Sequence, residues 1–123
     1  MYNIGVCTQA EYPEASGAGK CQEKKCDFKI SGYKTIKGDC SALQSQLMKQ
    51  PVSVAVDATN WSTYASGVFK NCGSNVNHGA LLAGMTSDYW RLKNSWGASW
   101  GEKGYIRIAS GNTCGICSFV AYP

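Results

Sequence analysis

The chain holds one histidine, His78, at the head of the apolar stretch "HGALLAGM". Imidazole is the side chain best suited to move protons near neutral pH. To act as a base it needs a partner that fixes which ring nitrogen carries the proton, and an amide oxygen does this without adding negative charge. Asn94 closes the later stretch "YWRLKN". Thr86-Ser87-Asp88 lies between the two stretches, and Thr86 is equidistant from positions 78 and 94. A hairpin folded at that turn sets His78 and Asn94 opposite each other at one sheet edge. Trp96 is two positions past Asn94, on the same strand face, where an indole would keep water off that pair. On generic grounds the same residues also read, and read more simply, as a turn or core histidine beside a strand-end asparagine.

Cysteine offers a second set of chemistries. There are seven: Cys7, Cys21, Cys26, Cys40, Cys72, Cys114 and Cys117. This density in a short chain points to disulfides and an oxidising compartment, and the odd count leaves at least one without an intrachain partner. A zinc site built from Cys21, Cys26, Cys114 and Cys117 has tolerable spacing within each pair, but the pairs are far apart in sequence. The Cys114-Gly115-Ile116-Cys117 segment has redox-motif spacing, yet it follows a strand and turn rather than opening a helix. Neither reading is favoured, and no metal is expected. Asn60-Trp61-Ser62 is a glycosylation sequon, in keeping with a secretory route.

The elements that must position these residues follow from pattern. The 123 residues suit one domain with its own core. Up to Gly38 the chain is punctuated by proline and glycine and reads as irregular. In "GDCSALQSQLMKQP", Ser41 and Gln44 have capping-box spacing, Leu43 and Leu47 share a face, and Pro51 ends the helix at Gln50. Strand patterns follow in "VSVAVDA", "HGALLAGM", "YWRLKNSW" and "YIRIA". Trp90 and Leu92 alternate with Arg91 and Lys93, and Ile106 and Ile108 flank Arg107, as in an antiparallel sheet buried on one face. The expected class is α+β, dominated by a small antiparallel barrel with one short helix.

Net charge is +4, partly from Lys20, Lys24, Lys25 and Lys29. Acidic Glu23 and Asp27 interrupt this cluster and no aromatic residues alternate with it, so it reads as a solvated loop rather than a nucleic-acid or membrane patch. No apolar run approaches membrane-spanning length. The stretch "MYNIGVCTQAEYPE" lacks the basic start and apolar core of a signal peptide.

Taken in order, "EYP", "QPVSVAVDA", "YASGVF", "NHG", "KNSWG", "SWGEKGYIRI", "CGI" and the final "YP" resemble segments of papain/cathepsin-family cysteine proteases of the cathepsin L-like kind. The likeness covers nearly the whole chain and tips the reading of His78 from core residue to catalyst. It implies that residues 1–123 are the carboxy-terminal, barrel-rich half of a papain-like peptidase domain. It implies His78 as general base and acid, Asn94 as its orienter, Trp96 as the indole over the pair and Trp100 on the leaving-group side. Ala55, Val76, Gly79 and Phe119 would line the pocket for the second residue before the scissile bond. Cys72 and Cys114 match a family disulfide, and Cys21 matches a cysteine whose partner lies in the other half.

The family's nucleophilic cysteine stands about 130–150 residues ahead of the histidine and asparagine, in a C-G-[SA]-C-[WY] context. No cysteine here has that distance or context, and the oxyanion donors of that region are absent too. The expectation is therefore a peptidase component that is inactive without a helical amino-terminal half bearing the nucleophile. That half and protein substrates are the implied partners, together with a pro-segment or inhibitor. No cofactor is implied, and the expected location is lysosomal, vacuolar or secreted. The competing reading is a catalytically silent papain-like module used for binding or structure in an assembly.

Overall fold

The computed structural model describes residues 5–123, so the first four positions of the stretch read for a leader lie outside the described residues. The chain forms two compact units, one running to Tyr33 and taking in Pro123, the other spanning Lys34–Tyr122. Among the described residues of the first unit, regular structure is limited to a bridge between Val6 and Phe28, beside a Cys7–Cys26 disulfide.

The second unit is built on a seven-stranded sheet. Its strands are β1 (Lys34–Ile36), β2 (Val52–Val56), β3 (Val68–Phe69), β4 (His78–Met85), β5 (Tyr89–Lys93), β6 (Tyr105–Ala109) and β7 (Val120–Tyr122), with one α-helix, α1 (Cys40–Leu47), and a short 3-10 turn at Thr113–Gly115. Their order across the sheet is β1-β7-β2-β4-β5-β6-β3. The class is α+β as expected, but the sheet is mixed and open rather than a closed antiparallel barrel, because β3 runs parallel to β6 at one edge. The short β1, β3 and β7 were not legible as strands. Each has only two or three paired residues, too few for an alternation to register.

The alternation of β2, β5 and β6 does what it implies. Val52, Val54 and Val56, then Trp90 and Leu92, then Ile106 and Ile108 face one core. Each such side chain contributes roughly 1.5–3 kcal/mol on burial. Helix α1 places Leu43 in the same core, fully buried. Its cap is Asp39 rather than Ser41: the Asp39 carboxylate accepts from the Ala42 N–H at 2.9 Å. The helix ends at Leu47, short of the Gln50 limit set by Pro51. The Cys40–Cys117 disulfide ties its first residue to the segment before β7.

On the other face of the β5–β6 ladder, Arg91 and Arg107 stand directly opposite each other. Like charges so placed repel. Arg91 instead lies 3.9 Å from the centroid of the Tyr105 ring, and Arg107 is clamped by Glu102 through two bonds of 2.7 and 2.8 Å. Glu102 also accepts from the Gly67 N–H, and the Arg107 hydrogen bonds chiefly hold its pKa at about 2, against the usual 4.5.

Two consequences are measurable. The Glu102 pKa is lower folded than unfolded, so its stabilisation is complete above about pH 4.5 and is lost as pH falls toward about 2. Glu102→Gln should therefore lower the melting temperature at neutral pH and flatten its fall over that acid range. An unchanged acid profile would show that the clamp does not act in solution. The Cys72–Cys114 disulfide closes a loop with a separation of 42 residues, so replacing both cysteines with serine should cost about 3–4 kcal/mol in denaturant unfolding.

Candidate active site

His78 opens β4, where its backbone stands opposite Val56 of β2. The residue before it is firmly held. Asn77 donates its N–H to the Val56 carbonyl at 3.0 Å, accepts from the Ala58 N–H at 3.0 Å, and donates its amide to the Thr59 hydroxyl at 2.9 Å. The Thr59 hydroxyl in turn donates to Asp57 at 2.6 Å. Asp57 is buried, and the hydrogen bonds from Thr59 are the first reason its pKa lies below the usual carboxylate value. Asp57, Thr59 and Asn77 did not stand out in the sequence, because their link runs between β2 and β4 rather than along either strand.

Asn94 follows β5, its N–H bonded to the Gly104 carbonyl at 2.9 Å. Its side-chain oxygen accepts two hydrogens, one from the Ser95 N–H at 2.8 Å and one from His78 Nε2 at 2.7 Å. The backbone donor fixes which end of the amide is oxygen. An amide oxygen only accepts, so Nε2 must carry the proton, and Nδ1 is left with a lone pair.

His78 and Asn94 meet, but not by the expected register. The hairpin turn is centred between Ser87 and Asp88, with Met85 against Trp90, and a bulge follows between Leu82 and Gly84. Beyond it Leu81 pairs with Lys93, so the continuing register sets Asn94 nearer Ala80 than His78. The imidazole and amide reach each other diagonally across the ladder, within the span that long side chains cover.

Three indoles surround the pair. Trp96 leans against the imidazole, centroids 5.1 Å apart and planes tilted by 42°, and is itself 41% exposed. Trp100 stands edge-on to Trp96 at 5.1 Å and donates its indole N–H to the Trp61 carbonyl at 3.0 Å. Trp61, fully buried, stacks on Trp100 at 6.1 Å and turns edge-on to His78 at 5.9 Å. In the sequence Trp61 registers only as the middle of a sequon, since nothing in its neighbourhood links it to a histidine in another strand. Gly101 keeps the loop between Trp100 and β6 closed. Its φ is +56°, and a Cβ there would sit 2.6 Å from the Tyr105 carbonyl oxygen.

The residues matched to a substrate pocket are only partly gathered. Gly79 and Ala55 are paired across β4 and β2, and the Ala55 N–H donates to the Phe119 carbonyl at 3.0 Å. Ala55 and the 53% exposed Phe119 line a shallow apolar groove of about 280 Å³ with Ile36 and Val54. Gly79 lines the neighbouring groove of about 400 Å³ together with Asn94 and Ser95. Val76 lines neither groove and lies against Gly115. Cys72 and Cys114 are joined, as are Cys7 with Cys26 and Cys40 with Cys117, while Cys21 is a free, exposed thiol. These pairings occupy three of the four cysteines weighed for zinc and both ends of the Cys114–Cys117 motif.

Known proteins resemble this chain over nearly all of its length. The profile of papain family cysteine proteases matches residues 1–123. Cathepsin L 1 of Paramecium tetraurelia is 41% identical over 122 residues, covering 97% of this chain and 38% of its own length. The chain thus spans well under half of such curated relatives. Among solved structures, the Carica candamarcensis cysteine protease in complex with E-64 superposes with a TM-score of 0.88 at 32% identity, over 99% of this chain and 63% of its own. Digestive procathepsin L 3 of Tenebrio molitor gives a TM-score of 0.87 at 34% identity, over 99% of this chain and 45% of its own. A histidine bonded to an asparagine oxygen beneath tryptophans, on a sheet of this topology and with a matching profile from end to end, makes the chain a member of the papain family of cysteine proteases.

Proposed function

We propose that this chain supplies the histidine–asparagine part of a cysteine endopeptidase, with the nucleophilic thiolate coming from a helical amino-terminal half. The 2.7 Å bond between His78 Nε2 and Asn94 Oδ1 carries the reading. It holds Nδ1 as the nitrogen that exchanges protons with a thiol. All four cysteines of the unit containing His78 are bridged, so the thiol must come from outside that unit. The larger size of the family relatives leaves room for such a half.

In this mechanism His78 first takes the thiol proton, and the resulting imidazolium stabilises the thiolate. Sulfur attacks the peptide carbonyl carbon. The C–N bond breaks as His78 gives its proton to the leaving amine, and an acyl-thioester remains. His78 then takes a proton from water, the hydroxyl displaces sulfur, and the acid product leaves. Asn94 keeps the ring in one tautomer throughout, and Trp96 and Trp100 limit water around it. Protein substrates are the partners of this site, with a pro-segment or inhibitor in addition. The three disulfides support an oxidising setting, lysosomal, vacuolar or secreted.

The isolated chain should neither turn over peptides nor be labelled by papain-directed epoxides. Stoichiometric labelling of any of its cysteines, abolished by His78→Ala, would overturn the proposal. In the enzyme joined to the helical half, His78→Ala should lower kcat/KM by about 10²–10⁴-fold. A chain that purifies alone in native mass spectrometry, with no helical half joined or bound, would instead support the silent binding module.

Specificity offers a separate check. Ala55 and Phe119 share one groove, Gly79 lines the next, and none of the three carries a charge, so a substrate arginine held there would be desolvated without a partner. Leucine and valine should be preferred over arginine and over the largest aromatics at the second residue before the cut, by roughly 10–200-fold in kcat/KM. Phe119→Ala should raise the relative rate with phenylalanine, and Phe119→Glu should admit arginine. A native preference for arginine in a positional peptide library would sink this assignment.

A further inference from the structure

We infer that Asn60 is a glycan acceptor, its side-chain nitrogen carrying an N-linked oligosaccharide. The motif is Asn60-Trp61-Ser62, the sequence's one Asn-x-Ser/Thr triplet without proline in the middle. The fold presents it as an acceptor site requires. The Trp61 N–H donates to the Ala58 carbonyl at 3.0 Å, closing a tight turn with Asn60 in it. Trp61 is fully buried while Asn60 and Ser62 are both exposed, so the indole anchors the turn and leaves the acceptor and its hydroxyl in solvent.

The local hydrogen bonding tolerates the modification. Asn60 Nδ2 donates to the Asn71 carbonyl at 3.0 Å. A primary amide has two N–H groups and this bond uses one. In the transfer step Nδ2 attacks the anomeric carbon of a lipid-pyrophosphate-linked oligosaccharide. The new C–N bond forms as the anomeric C–O bond breaks, the lipid pyrophosphate leaves with that electron pair, and the proton lost by the amide passes to a base of the transferring enzyme and on to solvent. One N–H remains, enough to keep the bond to Asn71. The sugar therefore replaces a hydrogen that no group among the described residues accepts. Three disulfides show that the native pairing needs an oxidising folding environment, the same environment in which sequons are glycosylated in eukaryotic cells.

The test does not depend on proteolysis, so it stands or falls apart from the enzymatic reading. The protein would be directed through the secretory pathway of a eukaryotic cell line and purified with its disulfides intact. It would then be treated with an amide-cleaving glycosidase in heavy-oxygen water and mapped by mass spectrometry. The expected result is a glycopeptide at Asn60 that becomes heavy-labelled aspartate on treatment. Ser62→Ala should abolish it and Ser62→Thr should retain it. Because Ser62 is exposed, both variants should keep the disulfides, which the same peptide map verifies. A secreted, disulfide-complete protein whose Asn60 peptide carries no glycan would overturn the inference. So would a glycan that persists in Ser62→Ala.

Discussion

The oxygen of Asn94 is the atom on which this site depends. It receives a backbone hydrogen from Ser95 and a ring hydrogen from His78, and each bond constrains what the other means. The backbone donor settles the orientation of the amide, and the amide then settles the tautomer of the imidazole. A carboxylate in the same place would fix the ring too, but would also bias it toward the charged form. The amide orients the ring without adding a charge. With Asn94 only 8% exposed, water competes poorly for either bond.

The supporting structure works mainly by immobilising backbone on both sides of that contact. On the histidine side, the chain from Asp57 through Thr59 to Asn77 fixes the residue that enters β4. On the asparagine side, the bond from Asn94 to Gly104 and the closely packed Gly101 fix the loop that follows β5. The indoles of Trp61, Trp96 and Trp100 fill the space between these braces with rigid side chains. Rigid placement of this kind is what proton transfer at a set distance requires.

Much of this was legible in the sequence, for reasons that can be traced. The strands β2, β5 and β6 announce themselves because each buries every second residue against one core. His78 and Asn94 stand out as the only imidazole and a strand-end amide, and the papain-like motifs around them name the pairing. The register escaped because a single-residue bulge between Leu82 and Gly84 leaves no mark in the hydrophobic pattern. The helix cap escaped because Asp39 and Ser41 are both good cap residues, and only the fold chooses between them. Trp61 and the Asp57–Thr59–Asn77 chain escaped because they act across strands distant in sequence, where periodicity says nothing.

The position of β7 has a consequence for how the protein is made. This strand, the last of its unit in chain order, lies between β1 and β2, the two earliest strands of the same unit. Until it is synthesised, β1 has no neighbour and β2 exposes one unpaired edge. The Cys40–Cys117 bridge cannot close before then either, since one of its cysteines is translated just ahead of β7. Sheet completion therefore waits for the last strand of the unit to emerge from the ribosome, and the half-built sheet offers a bare strand edge to its surroundings in the interval.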